Sequence, residues 1–292
     1  MLVTLVSGKS APGTTTTALA LAFSWPSPVL LVDADPAGGD VLPGLLAGRA
    51  SADRGLLTWA VATRRAAAHD AVAAVGEHVY TLPEAPHVWV MPGVQTAGQG
   101  RSLGGSWTRI SAALERVTAD TALDVLVDVG RLSEDSAWPL MGAADLVLLV
   151  TRCTARSVVA AAAAAAALRD GLGDWDRTRL IVLTRGDYRP GQVQQHVGPR
   201  PLGRIADDPR TAASLVDGAP LQLLGLSRSK LLRSVADLPS RIDRLTAAGP
   251  TKHTTGHTGI GTSGHTSGHT GNDTGEGAHE DPTEDHAEGR HA

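Results

Sequence analysis

Ser7-Gly8-Lys9-Ser10-Ala11-Pro12-Gly13-Thr14-Thr15-Thr16 is the segment whose residue types and spacing are best suited to chemistry. Gly8 and Gly13 stand at the Gly-x-x-x-x-Gly spacing, between a Val/Leu run and an Ala/Leu stretch of helical length. In that context glycines let the backbone turn tightly, so that consecutive N–H groups point at phosphate oxygens. The helix that follows adds the positive end of its dipole. Gly8, Lys9, Ser10, Ala11, Pro12, Gly13, Thr14, Thr15 and Thr16 therefore form the candidate phosphate cradle. The Thr15 hydroxyl falls where a loop of this kind holds Mg²⁺. The residue after Gly13, where a lysine usually reaches the phosphates, is Thr14. Reading Gly8-Lys9-Ser10 as the end of the motif would require a glycine at Val3 and would place the loop inside the strand, so the register with Gly13 stands.

Two further segments bring carboxylates to strand ends. Val32-Asp33-Ala34-Asp35-Pro36-Ala37-Gly38-Gly39-Asp40 follows an apolar run. An acidic side chain at the carboxyl end of a strand, beside a phosphate loop, can position water or a metal ion. An Asp-Pro-Ala-Gly-Gly turn also forms for conformational reasons alone. Leu123-Asp124-Val125-Leu126-Val127-Asp128-Val129-Gly130 is an apolar strand ending in an aspartate, the Walker B pattern. Asp128 in that pattern holds the Mg²⁺ shell through water.

The elements that must position these residues are legible as an alternation. Leu2–Ser7, Val29–Asp33, His87–Met91, Leu123–Val129, Asp145–Thr151 and Leu180–Thr184 are short runs rich in Val, Leu and Ile. Between them lie Ala/Leu stretches of helical length at Thr15–Phe23, Leu56–Val75, Trp107–Val117 and Ala155–Leu172. Near-continuous apolar strands separated by helices predict an α/β fold, a mostly parallel sheet flanked by helices and buried on both faces. One such domain is expected over 1–247. The last body helix, about Ser227–Leu245, carries Arg228, Lys230, Arg233, Arg241 and Arg244 beside six apolar residues. Pro239 interrupts it, and Asp237 and Asp243 dilute its charge, so it reads as packed on the domain rather than lying on a membrane.

The loop, read from Lys9, resembles the deviant Walker A motif Lys-Gly-Gly-x-Gly-Lys-Thr-Thr, as Lys9-Ser10-Ala11-Pro12-Gly13-Thr14-Thr15-Thr16. The chain has only three lysines, Lys9, Lys230 and Lys252. Through this loop the chain resembles the ParA/MinD family of P-loop ATPases. Asp33-Ala34-Asp35-Pro36 is similar to the family's Asp-x-Asp-Pro switch, Ala143–Val150 to its next strand, and Leu202–Pro209 with Asp217–Pro220 to its late region. The resemblance covers roughly residues 1–222 and is most specific in the first 40. It implies a three-layer α/β/α P-loop fold, binding of ATP with Mg²⁺, and a nucleotide-dependent homodimer. It also implies roles: Lys9 as the signature lysine that reaches the partner's phosphates, Asp35 as the carboxylate that orients the attacking water, and Thr15, Asp35 and Asp128 around Mg²⁺. Thr184, followed by Arg185, stands where the family's adenine-contacting strand ends in asparagine. The iron-protein branch, with two cluster cysteines per subunit, is excluded because Cys153 is the sole cysteine.

The composition narrows the classes further. The chain has 292 residues, 42% hydrophobic and 19% charged, enough apolar material for a sizeable core. Positions 1–250 hold 24 basic and 23 acidic residues, so no clustered positive field indicates nucleic acid, although a local patch stays open. One cysteine excludes an internal disulfide and any CxxC site, and fits a reducing, cytoplasmic setting. Met1 leads directly into the first apolar run with no basic n-region, and the longest apolar runs fall short of the ~20 residues that span a bilayer. From 248 to 292 the chain repeats Gly, His and Thr among seven acidic residues, which predicts a disordered tail.

Thr14 leaves three readings of function open. Lys9 supplies charge across a dimer; or nucleotide is held weakly as a conformational clamp; or the loop is vestigial and the scaffold serves as a non-catalytic adaptor. The favoured context is that of the pilus- and secretion-associated CpaE/TadZ-like branch, where loops are often degenerate. Chromosome or plasmid partitioning comes next. A protein partner in one of those machines is expected.

Overall fold

The computed structural model describes residues 1–9, 13–46, 50–217 and 229–247. Eight strands among them form one sheet: β1 (Leu2–Ser7), β2 (Val29–Asp33), β3 (Tyr80–Leu82), β4 (Ala85–Met91), β5 (Asp124–Arg131), β6 (Leu146–Arg152), β7 (Thr178–Leu183) and β8 (Arg200–Ile205). Their order is β3-β4-β2-β5-β1-β6-β7-β8, parallel throughout except for β3 against β4. The helices are α1 (Thr14–Phe23), α2 (Leu56–Ala62), α3 (Ala68–Ala74), α4 (Ala97–Ser102), α5 (Trp107–Asp120), α6 (Trp138–Ala143), α7 (Ala155–Leu172), α8 (Pro190–Val197), α9 (Pro209–Val216), α10 (Lys230–Val235) and α11 (Leu238–Ala247).

The strand residues explain the layers. Successive side chains of a strand point to opposite faces, and both faces here are apolar. On one face Leu2, Val6, Leu30, Val32, Val125, Val127, Val147 and Leu149 pack against α2, α3, α5, α6, α7 and α8. On the other, Val3, Leu5, Val29, Leu31, Leu126, Leu148 and Val150 pack against α1, α9, α10 and α11. Helix α1 is enclosed between the sheet and helices α9 and α10, and Ala18 to Ala22 are all fully buried. The expected fold class, a mostly parallel sheet between two helical layers, is the observed one. Among the described residues no helix is long and apolar enough to cross a membrane.

Differences from the expected elements have local causes. The stretch Leu56–Val75 is two helices, not one. The Thr63 hydroxyl donates to the Trp59 carbonyl at 2.6 Å and the chain turns through Arg64–Ala66, while the Trp59 indole donates to Ala71 O at 3.0 Å and clamps the two pieces together. The stretch Ser227–Leu245 also divides. A proline is tolerated in the first turn of a helix and not in its interior, and Pro239, with no N–H to give, sits second in α11. Residues 227 and 228 lie outside the described residues, as do 218–220 of the late motif and the whole tail 248–292. Strand β3 has three residues, too few for a period. Strand β8, Arg-Pro-Leu-Gly-Arg-Ile, has no apolar run, and its proline and bulge are tolerated because it forms the sheet edge.

Leu5 is fully buried in β1 at the centre of the sheet, beside Asp128 of β5 and Leu148 of β6. Leu5→Ala should lower unfolding free energy by about 2–5 kcal/mol, measured by urea denaturation, because rigid strands on both sides prevent collapse of the cavity.

Candidate functional site

The site assembles where connections diverge. Strand β1 leads through α1 toward β2 on one side, and β6 leads through α7 toward β7 on the other, so a crevice opens at the carboxyl ends between them. Ser7 ends β1 fully buried, its hydroxyl 3.4 Å from the Gly130 carbonyl. Gly8 lies so close to α7 that a Cβ would collide with the Ala160 carbonyl. Lys9 is exposed, and Ser10, Ala11 and Pro12 lie outside the described residues. Gly13 has φ 87°, the left-handed region open to glycine, and hands the chain into α1. Its carbonyl accepts from the Thr17 N–H at 2.9 Å and the Thr17 hydroxyl at 2.8 Å. No side chain caps the first turn of α1 and it holds no acidic residue, so its N–H groups and dipole face the crevice.

Parallel register sets the carboxylates. Asp33 and Asp128 are direct partners across β2 and β5, and Leu5 of β1 pairs with Asp128 from the other side. By alternation both carboxylates project on the α1 face. Asp128 Oδ1 accepts from the Gly130 N–H at 2.9 Å, and the Thr15 side chain lies near enough to favour the ionised form. Burial outweighs both contacts and pushes its pKa up to about 6, with Asp35 and Asp40 adding repulsion. Asp33 is raised well above the usual carboxylate range, first by burial and then by the Asp128 charge. Asp33 Oδ2, Asp128 Oδ2 and the Thr14 hydroxyl are buried without hydrogen-bond partners. Such orphans cost free energy unless something pairs with them.

Asp35 is half-buried. Its Oδ1 accepts from the Ala37 N–H at 2.8 Å, and its other oxygen lies where a Cβ on Gly130 would be. Burial raises its pKa, against the Ala37 N–H and the Arg131 charge. Gly39 and Gly93 enclose Asp33 in the same way, a Cβ on either colliding with its carboxyl group. The structure thus brings Gly13, Thr14, Thr15, Asp33, Asp35 and Asp128 to one crevice. Sequence alone assigns no role to Asp33, although it lies within the motif read for Asp35. Only the strand register distinguishes it. Thr184 is exposed one residue beyond β7, and its N–H and hydroxyl both donate to Ile205 O, at 2.9 and 3.3 Å. Its hydroxyl can therefore only accept from a ligand.

The donor set fits a cation that brings its own anion. Among the described residues no cluster of three or more His, Cys, Asp or Glu side chains could hold a metal ion by itself. Two buried carboxylates, a threonine hydroxyl and a free helix N-terminus supply part of a Mg²⁺–phosphate shell, and phosphate oxygens would complete it.

The raised carboxyl group has a consequence for stability. In the pH range between the unfolded value near 3.8 and about 6, the folded protein binds more protons at Asp128 than the unfolded chain does. Its contribution to stability is therefore fully present at low pH and is lost as pH rises through about 6. Asp128→Asn should flatten that dependence and raise the melting temperature above pH 7 in metal-free buffer. Thermal melts of both proteins between pH 5 and 8 check it; parallel curves would contradict the assigned burial cost.

Compared with protein-family models and with curated proteins, the sequence gives no match. Solved structures do match. The septum site-determining protein MinD complexed with Mg-ADP from Pyrococcus horikoshii superposes with a TM-score of 0.61 at 20% identity, over 84% of this chain and 96% of that one. A ParA family ATPase from Chlorobium tepidum gives 0.66 at 17%, over 82% and 98%. A complex of ATP with a variant of Cyanothece McdA gives 0.55 at 15%, over 85% and 95%. The expected likeness holds at the level of architecture: this chain has the P-loop α/β fold of the MinD and ParA ATPases.

Proposed function

We propose that the chain is a nucleotide-dependent positioning or partitioning protein that binds Mg-ATP at the β1–α1 loop and dimerises when it does so. The observation that carries this reading is the register that sets Asp33 and Asp128 side by side under the start of α1, with Thr15 beside Asp128. Bound Mg-ATP would supply a phosphoanhydride whose cleavage resets the assembly. In this reading the first-turn N–H groups of α1 bind the phosphates, Thr15 and Asp128 orient the metal's ligands, and Asp35 orients a water at the strand end.

Thr14 favours slow turnover. Its short side chain is 3% exposed, and it cannot replace a lysine that would neutralise charge on the phosphates. Lys9 is the loop's free cation among the described residues, and its exposure suits contact with a second copy. It lines a groove of about 880 Å³ together with Glu134, Trp138, Arg156, Val159 and Ala163. Lys9 and Glu134 on one surface make that face self-complementary in charge, as a two-fold interface requires. The alternative of a purely structural scaffold, a non-catalytic adaptor, rests on Thr14 alone. The partner proposed is a component of a pilus or secretion machine, with chromosome or plasmid segregation as the second context.

Light scattering with and without Mg-ATP should show a monomer becoming a dimer, and Lys9→Ala should stay monomeric while still binding nucleotide in calorimetry. Absence of any nucleotide effect on the native protein would favour the adaptor.

A further inference from the structure

We propose that Arg152 binds the phosphates of a ligand at the start of α1, where the β1–α1 loop ends, supplying within the same chain the positive charge that Thr14 lacks. This rests on the reading of that loop as a phosphate cradle. Strand β6 lies beside β1, with Val150 opposite Ser7, so Arg152 stands two residues further on, level with the start of the loop. Alternation along β6 sends Leu148 and Val150 to the α1 face, and with them Arg152. Its register partner on β7 is Leu183. A Cβ on Gly13 would lie 3.4 Å from Leu183 Cδ2, which places the start of α1 beside that pair of residues. Arg152 therefore stands on the face and at the level where the phosphate loop enters its helix.

The charges acting on the guanidinium are more positive than negative. Arg152 Nε is buried and has no hydrogen-bond partner. Burial lowers its pKa, and so does the charge of Arg185, with Asp207 acting the other way and Arg156 adding to the repulsion. The loops bearing these residues are tied together, since the Cys153 N–H donates to the Arg185 carbonyl at 2.9 Å. Arg156 in turn shares the groove of Lys9. A buried donor held among like charges is a poor device for stability and a good one for a polyanion. Guanidinium forks match phosphate oxygens, and such charge-assisted bonds are among the strong ones.

Calorimetry with Mg-ATP and with inorganic pyrophosphate, on the native protein, Arg152→Ala and Arg152→Lys, tests this. Arg152→Ala should bind both probes about ten- to a hundredfold more weakly, and Arg152→Lys should fall between. Without ligand, Arg152→Ala should melt at or above the native temperature, because a crowded charge has been removed. Equal affinities for both probes in native and Arg152→Ala protein would overturn the proposal while leaving the nucleotide reading intact. So would a loss for ATP without one for pyrophosphate, which would place the guanidinium on the base or sugar, and so would a ligand-free protein destabilised by the change. A native protein that binds pyrophosphate but not Mg-ATP would instead overturn the nucleotide reading alone.

Discussion

Two neighbouring carboxylates, desolvated and short of partners, are the constraint on which the site depends. Asp33 and Asp128 meet because β2 and β5 are parallel and in register, and each is the last side chain that its strand turns to the α1 face. Nothing in the apolar core benefits from placing them there. Burial and mutual repulsion raise both pKa values, so the folded chain carries a cost that its two apolar layers must offset. Local strain of this kind persists where surrounding structure over-determines it. Here Gly39 and Gly93 leave no room beside Asp33, and Gly130 leaves none beside Asp35. A cation that pairs with these oxygens would recover the cost on binding, which in the proposed reading would favour the metal-bearing state.

The crevice is polarised about β1. Carboxylates come from β2 and β5 on one side, with the Arg131 charge acting on Asp35, and Arg152 and Arg185 follow from β6 and β7 on the other, with the Asp207 charge acting on Arg152. Between them the start of α1 presents its N–H groups. A metal–polyphosphate ligand has the same polarity, positive at the ion and negative along the chain of phosphates. Matching a dipolar ligand with a dipolar site gives orientation as well as affinity, since the reversed pose would set like charges against each other.

The positions of Asp35 and Asp128 near strand ends and six of the eight strands are readable from sequence, because apolar runs and the acidic residues that close them are local signals. Strand β2 ends at the aspartate that interrupts its run. What stays hidden is set by packing across the sheet. Asp33 has no role assigned by sequence, and register places it opposite Asp128. Arg152 carries no motif, and its significance comes from a strand neighbour remote in sequence. Strand β8 gives no period because an edge strand tolerates Arg, Pro and Gly. The break after Ala62 is accompanied by a threonine hydroxyl bonding back to Trp59 and by the Trp59 indole bonding to Ala71 O, contacts that a helix-propensity sum over an alanine-rich window does not register.

Holding a nucleotide and cleaving it make different demands, and in the proposed reading the residues divide along that line. In the proposed reading, backbone N–H groups, Thr15 and Asp128 would act on the ground state and the transition state alike and so contribute binding more than rate, while Asp35 would act on the attacking water. A lysine after Gly13 would act most strongly on charge that develops during cleavage; Thr14 cannot do so, and the positive charge proposed at Arg152 comes from a neighbouring strand rather than from the loop itself. In the proposed reading such a site would favour occupancy over turnover. For a protein whose output is a change of assembly rather than a product, slow turnover prolongs the bound state. If nucleotide drives dimerisation as proposed, its differential affinity for monomer and dimer would set how far the population shifts.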